Sequence, residues 1–237
     1  MQSNMVQLPK IFVEQIELSL GDEAIDFFAS LDENSPSTLR INPRKSFFPK
    51  NLEQVPWCEN GYYLAERPVY TLDPLFHAGA YYVQEASSMF LEQVLKQTTD
   101  LSLPLKVLDL CAAPGGKTTH IVSLLSNDSL LVSNEVIRSR SKILAENVSK
   151  WGIPNIVVTS NDPSDFQKFT GFFDVLIIDA PCSGEGLFRK DKDAVNEWSP
   201  ENVERCSARQ KRIVADSWDA LKPGGMLIYS TCTYNRR

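Results

Sequence analysis

The sequence predicts an α/β protein in which a Rossmann-like parallel sheet, with helices on both faces, follows a small amino-terminal α+β domain. Three observations carry that expectation. From about residue 104 onward, short apolar runs alternate with amphipathic stretches of helical period, the pattern of repeated βαβ units. A glycine-rich turn, "CAAPGGKTTH", stands directly after the first of those runs. Several of the runs end in an acidic or sulfur-bearing residue, where a doubly wound sheet places its ligand-binding loops.

The first hundred residues read differently. "LPKIFVEQIELSLG" and "DEAIDFFASL" set Ile11, Phe12, Ile16 and Leu20, then Ile25 and Phe28, at helical spacing, with Gly21 as the stop between two helices. "STLRINPRK" is strand-like and broken by Pro43, and the stretch from Val55 to Tyr82, rich in aromatics and prolines, reads as a loop. Helical periodicity resumes in "VQEASSMFLEQVLKQ". The predicted domains are therefore 1–80 and 81–237. Within the second, the strands are "KVLDLCA", "LLVSNEV", "NIVVTSND", "FDVLIIDAP" and "GMLIYSTC". The helices "KTTHIVSLLS", "SRSKILAENVSKWG" and "PENVERCSARQKRIVADSWDALK" separate them.

A chain of 237 residues with 43% hydrophobic content can bury a sizeable core. It has no apolar run of membrane-spanning length, and "MQSNMVQLPK" lacks the charged start and apolar stretch of a secretory leader; a cytoplasmic monomer is expected. The five cysteines form no CxxC pair, so free thiols in a reducing compartment are expected, with no metal site. The net charge of −6 is uneven: residues 1–100 carry 7 Lys/Arg against 14 Asp/Glu, and residues 101–237 carry 17 against 16. Arg205, Arg209, Lys211 and Arg212 lie at helical spacing, as a solvated face or as a basic surface for nucleic acid.

The glycine-rich turn admits three cofactor readings. Cys111 to Thr118 matches the phosphate-binding G-x-x-x-x-G-K-[ST] except that cysteine replaces the first glycine, and no G-x-G-x-x-G is present. The third reading is S-adenosylmethionine, a nucleoside held without phosphates by acidic residues at successive strand ends. Glu135 stands 26 residues after Asp109, where a carboxylate meets ribose hydroxyls, and Asp162 follows the third sheet strand. Either acid alone is as readily a helix cap; their repetition favours the nucleoside.

The fourth strand ends "DAPC" and the fifth ends "STCT", placing Cys182 and Cys232 after neighbouring strands. A lone free cysteine is most often a small buried hydrophobe. Two at adjacent strand ends suggest a thiolate that adds to C6 of a pyrimidine and makes C5 nucleophilic enough to take a methyl group. Such a thiolate needs a stabilising neighbour, a cation or a helix amino terminus, for which Arg189 and Lys190 are candidates.

"DLCAAPGGKTTH", "DAPCSGEGLFRKD", "EWSPE" and "STCT", in this order, resemble the RNA cytosine-5 methyltransferases of the NOL1/NOP2/Sun family, particularly its bacterial ribosomal-RNA branch. The resemblance covers most of residues 80–235 and extends weakly through "LRIN" and "YVQEASSM". It implies that Cys111, Ala112, Ala113, Pro114, Gly115, Gly116 and Lys117 cradle S-adenosylmethionine, that Glu135 holds its ribose and Asp162 its adenine, and that Asp179 lies between cofactor and target base. It further implies that Cys232 is the nucleophile and Cys182 assists product release. The expected partner is an RNA substrate, ribosomal in preference to transfer RNA. An inert RNA-binding or ribosome-assembly factor on the same fold is the alternative, and "GGKT" leaves a P-loop hydrolase as a third reading. The family continues past the Thr-Cys motif, whereas this chain ends five residues after Cys232. It reads as a fragment whose sheet stops at the fifth strand.

Overall fold

The structure is a computed structural model and describes residues 8–45 and 51–235. Most of the segment read for a leader, and the terminal Arg236 and Arg237, lie outside the described residues. In chain order the elements are α1 (Lys10–Leu20), α2 (Ala24–Asp32), β1 (Ser37–Ile41), β2 (Gly61–Leu64), α3 (Pro74–His77), β3 (Tyr81–Val83), α4 (Ala86–Met89) and α5 (Leu91–Thr98). There follow β4 (Lys106–Asp109), α6 (Gly116–Leu124), β5 (Leu130–Asn134), α7 (Arg138–Trp151), β6 (Ile156–Thr159), β7 (Phe173–Asp179), α8 (Lys192–Glu197), α9 (Pro200–Ser217) and β8 (Leu221–Ser230). Their contacts separate two units, one of Pro36–Asp179 with Asp216–Tyr229, the other of Met1–Ser35, Ala180–Ala215 and Ser230–Arg237.

The larger unit contains the predicted five-stranded sheet, in the order β6-β5-β4-β7-β8. β4 pairs in parallel with β5 and β7, and β5 with β6. Strands covered on both faces have no polar side to present, and β7 accordingly buries Val175, Leu176, Ile177 and Ile178 in succession. α6 and α7 add Ile121, Val122 and Trp151 to the core. β8 starts at Leu221, earlier than the predicted "GMLIYSTC". The outermost place of β8 in the sheet explains why Pro223 is tolerated within it. α9 is shorter than its helical pattern, ending at Ser217 before a 3-10 turn at Trp218–Ala220.

The stretch from Val55 to Tyr82, read as a loop, holds β2, α3 and β3; β2 and β3 flank β1 in an antiparallel sheet. The reason lies in packing. Tyr81 joins Leu39 and Ile41 in one cluster, with Tyr62, Leu64 and Val83 against it. The prolines fall outside the strands, Pro74 at the first turn of α3 behind its Asp73 cap. β1 to β3 belong to the larger unit, so the contact division and the expected boundary at residue 80 differ.

In the smaller unit, Phe12, Ile16 and Ala24 share a core with Phe188, Val195 and Trp198. Two residues predicted to face a core do not: Ile11 is 48% and Ile25 75% exposed. Phe12 and Ile16 stand one helical turn apart, and Ile11 sits about 100° round the helix from Phe12. No helix among the described residues is long and apolar enough to cross a membrane.

Candidate active site

β4 delivers Asp109 to the glycine-rich turn, and α6 begins at Gly116. Gly115 caps α6 with φ +113°, a conformation that residues with a Cβ avoid. α7 holds the turn from one side: Arg140 Nη2 donates to Ala113 O at 2.8 Å and Asn147 Nδ2 to Pro114 O at 2.8 Å. The amide of Ala112 donates to Asn134 O at 2.9 Å. Asn134 is fully buried, and its Nδ2 reaches Leu110 O at 3.3 Å and Asn161 O at 3.0 Å. One amide side chain thereby joins three strand ends. From the other side the buried Arg40 donates to Gly116 O at 3.1 Å, Thr119 Oγ1 at 2.7 Å and Gln84 Oε1 at 2.8 Å.

The acids at these strand ends have distinct surroundings. Asp109 is fully buried, and its Oδ2 accepts from Thr118 Oγ1 at 2.6 Å while Oδ1 has no partner. Burial, with the charges of Asp179 and Glu135 added, pushes its pKa up to about 7 against the opposing Thr118 bond and Lys117. Glu135 accepts from the Ile137 amide at 2.9 Å and lies 3.4 Å from Arg140 Nη1. Asp179, the last residue of β7, pairs with Lys117 Nζ at 2.7 Å. Asp162 caps the turn after β6, its Oδ1 accepting from the amide of Ser164 at 3.1 Å and its hydroxyl at 2.9 Å. Burial and then the charges of Asp109, Glu135 and Asp179 raise the Cys111 thiol to about 12. Cys111, Asp109, Glu135, Asp179 and Lys117 therefore share one electrostatic environment, and Asp162 stands on the neighbouring loop that Asn134 ties in.

This environment is acidic, and its lysine is already paired. A phosphate would meet repulsion here, which argues against the P-loop reading. The unpartnered buried Asp109 Oδ1 and the glycine backbone suit a cationic nucleoside carrying no phosphate.

The smaller unit holds the two cysteines. Cys182 is partly buried and Cys232 exposed. A hydrogen bond from the Cys232 side chain, helped by the backbone of Gly184 and Cys232, lowers the Cys182 thiol to about 6 in spite of burial. The expected cation is not its source: Arg189 donates to the carbonyls of Glu33 at 3.0 Å and Asn34 at 2.9 Å, and Lys190 is exposed. Hydrogen bonding stabilises the charge instead. The two sulfurs share a hydrogen bond, so the first proton lost belongs to the pair.

Sequence reading missed Arg40, Asn134 and the buried Glu185. All three lie in stretches quoted above, Arg40 in "LRIN", Asn134 in "LLVSNEV" and Glu185 in "DAPCSGEGLFRKD", but none was given a role. It also missed a buried trio in the larger unit, Cys58, Glu92 and His120, whose ligand-type atoms lie within 4.8 Å of one another. Glu92 is held ionised at about 2: burial opposes this, but bonds from His120, Lys96 and Cys58 outweigh it. Burial holds His120 neutral at about 4 and Cys58 protonated at about 12. With Lys96 Nζ 2.7 Å from Glu92, the trio is already charge-balanced without a metal.

The parallel sheet, the glycine turn and the acids at its strand ends define a methyltransferase of the Rossmann-like class. Residues 95–237 match the 16S rRNA methyltransferase RsmB/F family, and residues 8–86 match the N-terminal domain of 16S rRNA methyltransferase RsmF. Ribosomal RNA small subunit methyltransferase F of Escherichia coli O127:H6 and that of Escherichia fergusonii are each 36% identical over 254 residues, covering 100% of this chain and 52% of the relative. The chain thus spans about half the length of these curated relatives. Among solved structures, PH0851 aligns with TM-score 0.88 at 25% identity, over 97% of this chain and 54% of that one. A methyltransferase homologue from Pyrococcus horikoshii aligns at 0.80 and 28% identity, over 97% and 75%. NSun6 from Pyrococcus horikoshii with SFG shares the fold, at 0.79 and 19% identity, over 98% and 85%. The chain belongs to the RsmB/F family of 16S rRNA methyltransferases, whose cofactor is S-adenosylmethionine.

Proposed function

We propose that this chain carries the core of an enzyme that methylates C5 of a cytosine in ribosomal RNA through a covalent cysteine adduct. The observation that carries the reading is the hydrogen-bonded Cys182–Cys232 pair, in which one thiol is held well below its ordinary range. A ring carbon has no lone pair to offer, so the base must first be activated. Cys232 adds to C6, and the ring electrons shift to C5. S-adenosylmethionine, when bound, supplies an electrophilic methyl group. After C5 is methylated its proton leaves to a base, the C5=C6 double bond re-forms, and Cys232 departs as thiolate. Cys182, bonded to Cys232 through sulfur, assists that departure.

The turn from Cys111 to Lys117 holds the cofactor, with Glu135 on the ribose and Asp162 on the adenine. Asp179, fixed by Lys117, faces both cofactor and base; only Ala180 and Pro181 separate it from Cys182 in the chain. The target cytosine must leave its stack to be reached, and residues 1–80 supply part of the RNA contact.

RNA carrying 5-fluorocytosine tests the scheme, because fluorine at C5 blocks the proton loss that releases the enzyme. The chain should be trapped on this RNA in the presence of S-adenosylmethionine, and Cys232→Ser should abolish trapping. Cys182→Ala should accumulate an adduct on ordinary RNA. Equal trapping by the Cys232→Ser protein would sink the nucleophile assignment.

A further inference from the structure

Glu185 follows Cys182 by three residues and is fully buried in the smaller unit. A carboxylate is costly to bury unless hydrogen-bond donors surround it, and this one is surrounded. Oε2 accepts from Thr233 Oγ1 at 2.7 Å, from the Tyr234 amide at 2.6 Å and from the Asn235 amide at 3.0 Å. Oε1 accepts from Asn235 Nδ2 at 2.6 Å, Trp198 Nε1 at 2.9 Å and Ser183 Oγ at 3.0 Å. Four of these six bonds come from the three residues that directly follow Cys232.

The next residue grips Cys232 itself. The Gly186 amide donates to Cys232 O at 2.8 Å. A Cβ at residue 186 would lie 2.8 Å from Cys232 Cβ and 2.8 Å from its carbonyl oxygen. Backbone cannot yield there as a flexible side chain would.

We infer that Glu185, together with Gly186, is a positioning residue: it gathers the backbone after Cys232 around one buried carboxylate and so fixes the Cys232 sulfur against Cys182. The carboxylate touches no reacting atom and acts through the loop it organises. Its acceptor-only character is what the site uses, since every partner is a donor. The purpose of the sulfur pair rests on the proposed function; the grip on the loop does not. Among the described residues, titratable groups beside the pair include Glu185 and Cys206, the latter on α9 with Arg209 and Arg205 acting on it.

The experiment is iodoacetamide alkylation of the chain across pH, without RNA or S-adenosylmethionine, quantified by mass spectrometry on the peptides carrying Cys182 and Cys232. The wild-type profile should show a midpoint below pH 7. Glu185→Gln keeps the size but turns two donors toward donors, and Gly186→Ala pushes on Cys232. Both should raise the midpoint by at least one unit, which cuts the thiolate fraction at pH 6 about fivefold and, after the higher nucleophilicity of the more basic thiolate, slows alkylation there about twofold or more. Asn235→Ala, which removes one partly buried side-chain donor and keeps the backbone donors of Tyr234 and Asn235, should move it the same way by less. An unmoved midpoint in a variant that keeps its circular dichroism overturns the proposal. If the first two do not fold, an unmoved Asn235→Ala profile overturns it alone. A shifted profile alongside RNA that traps nothing would leave the positioning role standing and remove the C5 reading.

Discussion

Sulfur reactivity in this chain is sorted residue by residue, by burial and by which donors reach each thiol. Cys58 and Cys111 are pushed up to about 12, Cys182 down to about 6. At pH 7 that gap is about five orders of magnitude in thiolate fraction, of which the lower nucleophilicity of an acidic thiolate gives back between two and three. The Cys182–Cys232 pair should therefore alkylate about a hundredfold faster than Cys58 or Cys111, read by timed peptide mapping. Equal rates would show that the pair's hydrogen bonds do not stabilise a thiolate. The residue types at this site were legible because both sulfurs and the acids stand at strand ends in the sequence. Arg40 and Glu185 were not, because nothing in a neighbouring residue announces that a charged side chain will be buried. Their partners come from residues 44 to 79 positions away for Arg40, and 48 to 50 for the Glu185 bonds to the Thr-Cys loop, distances visible only after folding.

Among the elements, those with strong periodicity were readable: the five sheet strands and the helices α1, α2, α6, α7 and α9 all form near their predicted places. β2 and β3 were not, since runs of three or four residues are too short to show alternation and their tyrosines resemble the aromatic loop around them. What holds this small sheet in the larger unit is the carboxyl end of α7. Asn42 Nδ2 donates to Trp151 O at 2.8 Å and to Gly79 O at 3.0 Å, and Lys45 Nζ donates to Lys150 O at 2.7 Å. Gly79 sits so close that a Cβ there would lie 2.1 Å from Lys150 O. Asn42→Ala should leave two buried carbonyls without that donor and cost about 1–3 kcal/mol in urea unfolding. Gly79→Ala should cost more, because a positive φ and a backbone collision add. At the glycine turn the same reasoning applies to function: Gly115→Ala, with φ +113° and Leu144 Cδ1 3.2 Å away, should weaken S-adenosylmethionine binding measured by calorimetry by tenfold or more, at about 1–3 kcal/mol of strain. Unchanged affinity in that variant would place the cofactor elsewhere.

At the scale of the whole molecule, two buried groups of the larger unit pull the pH dependence of stability in opposite directions. Asp109 rises from an ordinary 3.8 to about 7 on folding, so the native state keeps a proton that the unfolded chain has released. Its contribution is fully present below the unfolded value and is lost as pH rises through about 7. His120 falls from 6.5 to about 4, so the unfolded chain takes up a proton that the native state refuses. Its contribution is present above the unfolded value and is lost as pH falls through about 4. Between pH 5 and 6.5 both are active, each tilting stability by up to about 1.4 kcal/mol per pH unit, with opposite signs. The depressed carboxylate Glu92 acts below its ordinary 4.5 and so outside this window. Wild-type stability should then be nearly flat from pH 5 to about 5.5, above which the Cys182 thiol, lowered from 9.0 to about 6, adds an upward slope because the native state releases a proton that the unfolded chain keeps. Asp109→Asn keeps an acceptor for Thr118 but removes one slope, and its stability should climb with pH by about 1.4 kcal/mol per unit. His120→Gln keeps a donor for Glu92 and should fall with pH by a similar amount. Urea midpoints taken every half unit decide it: parallel profiles for the three proteins would mean that neither group is shifted, while slopes of opposite sign relative to the parent would confirm that burying the acid beside the glycine turn and the imidazole on α6 leaves the fold insensitive to acid only as a balance.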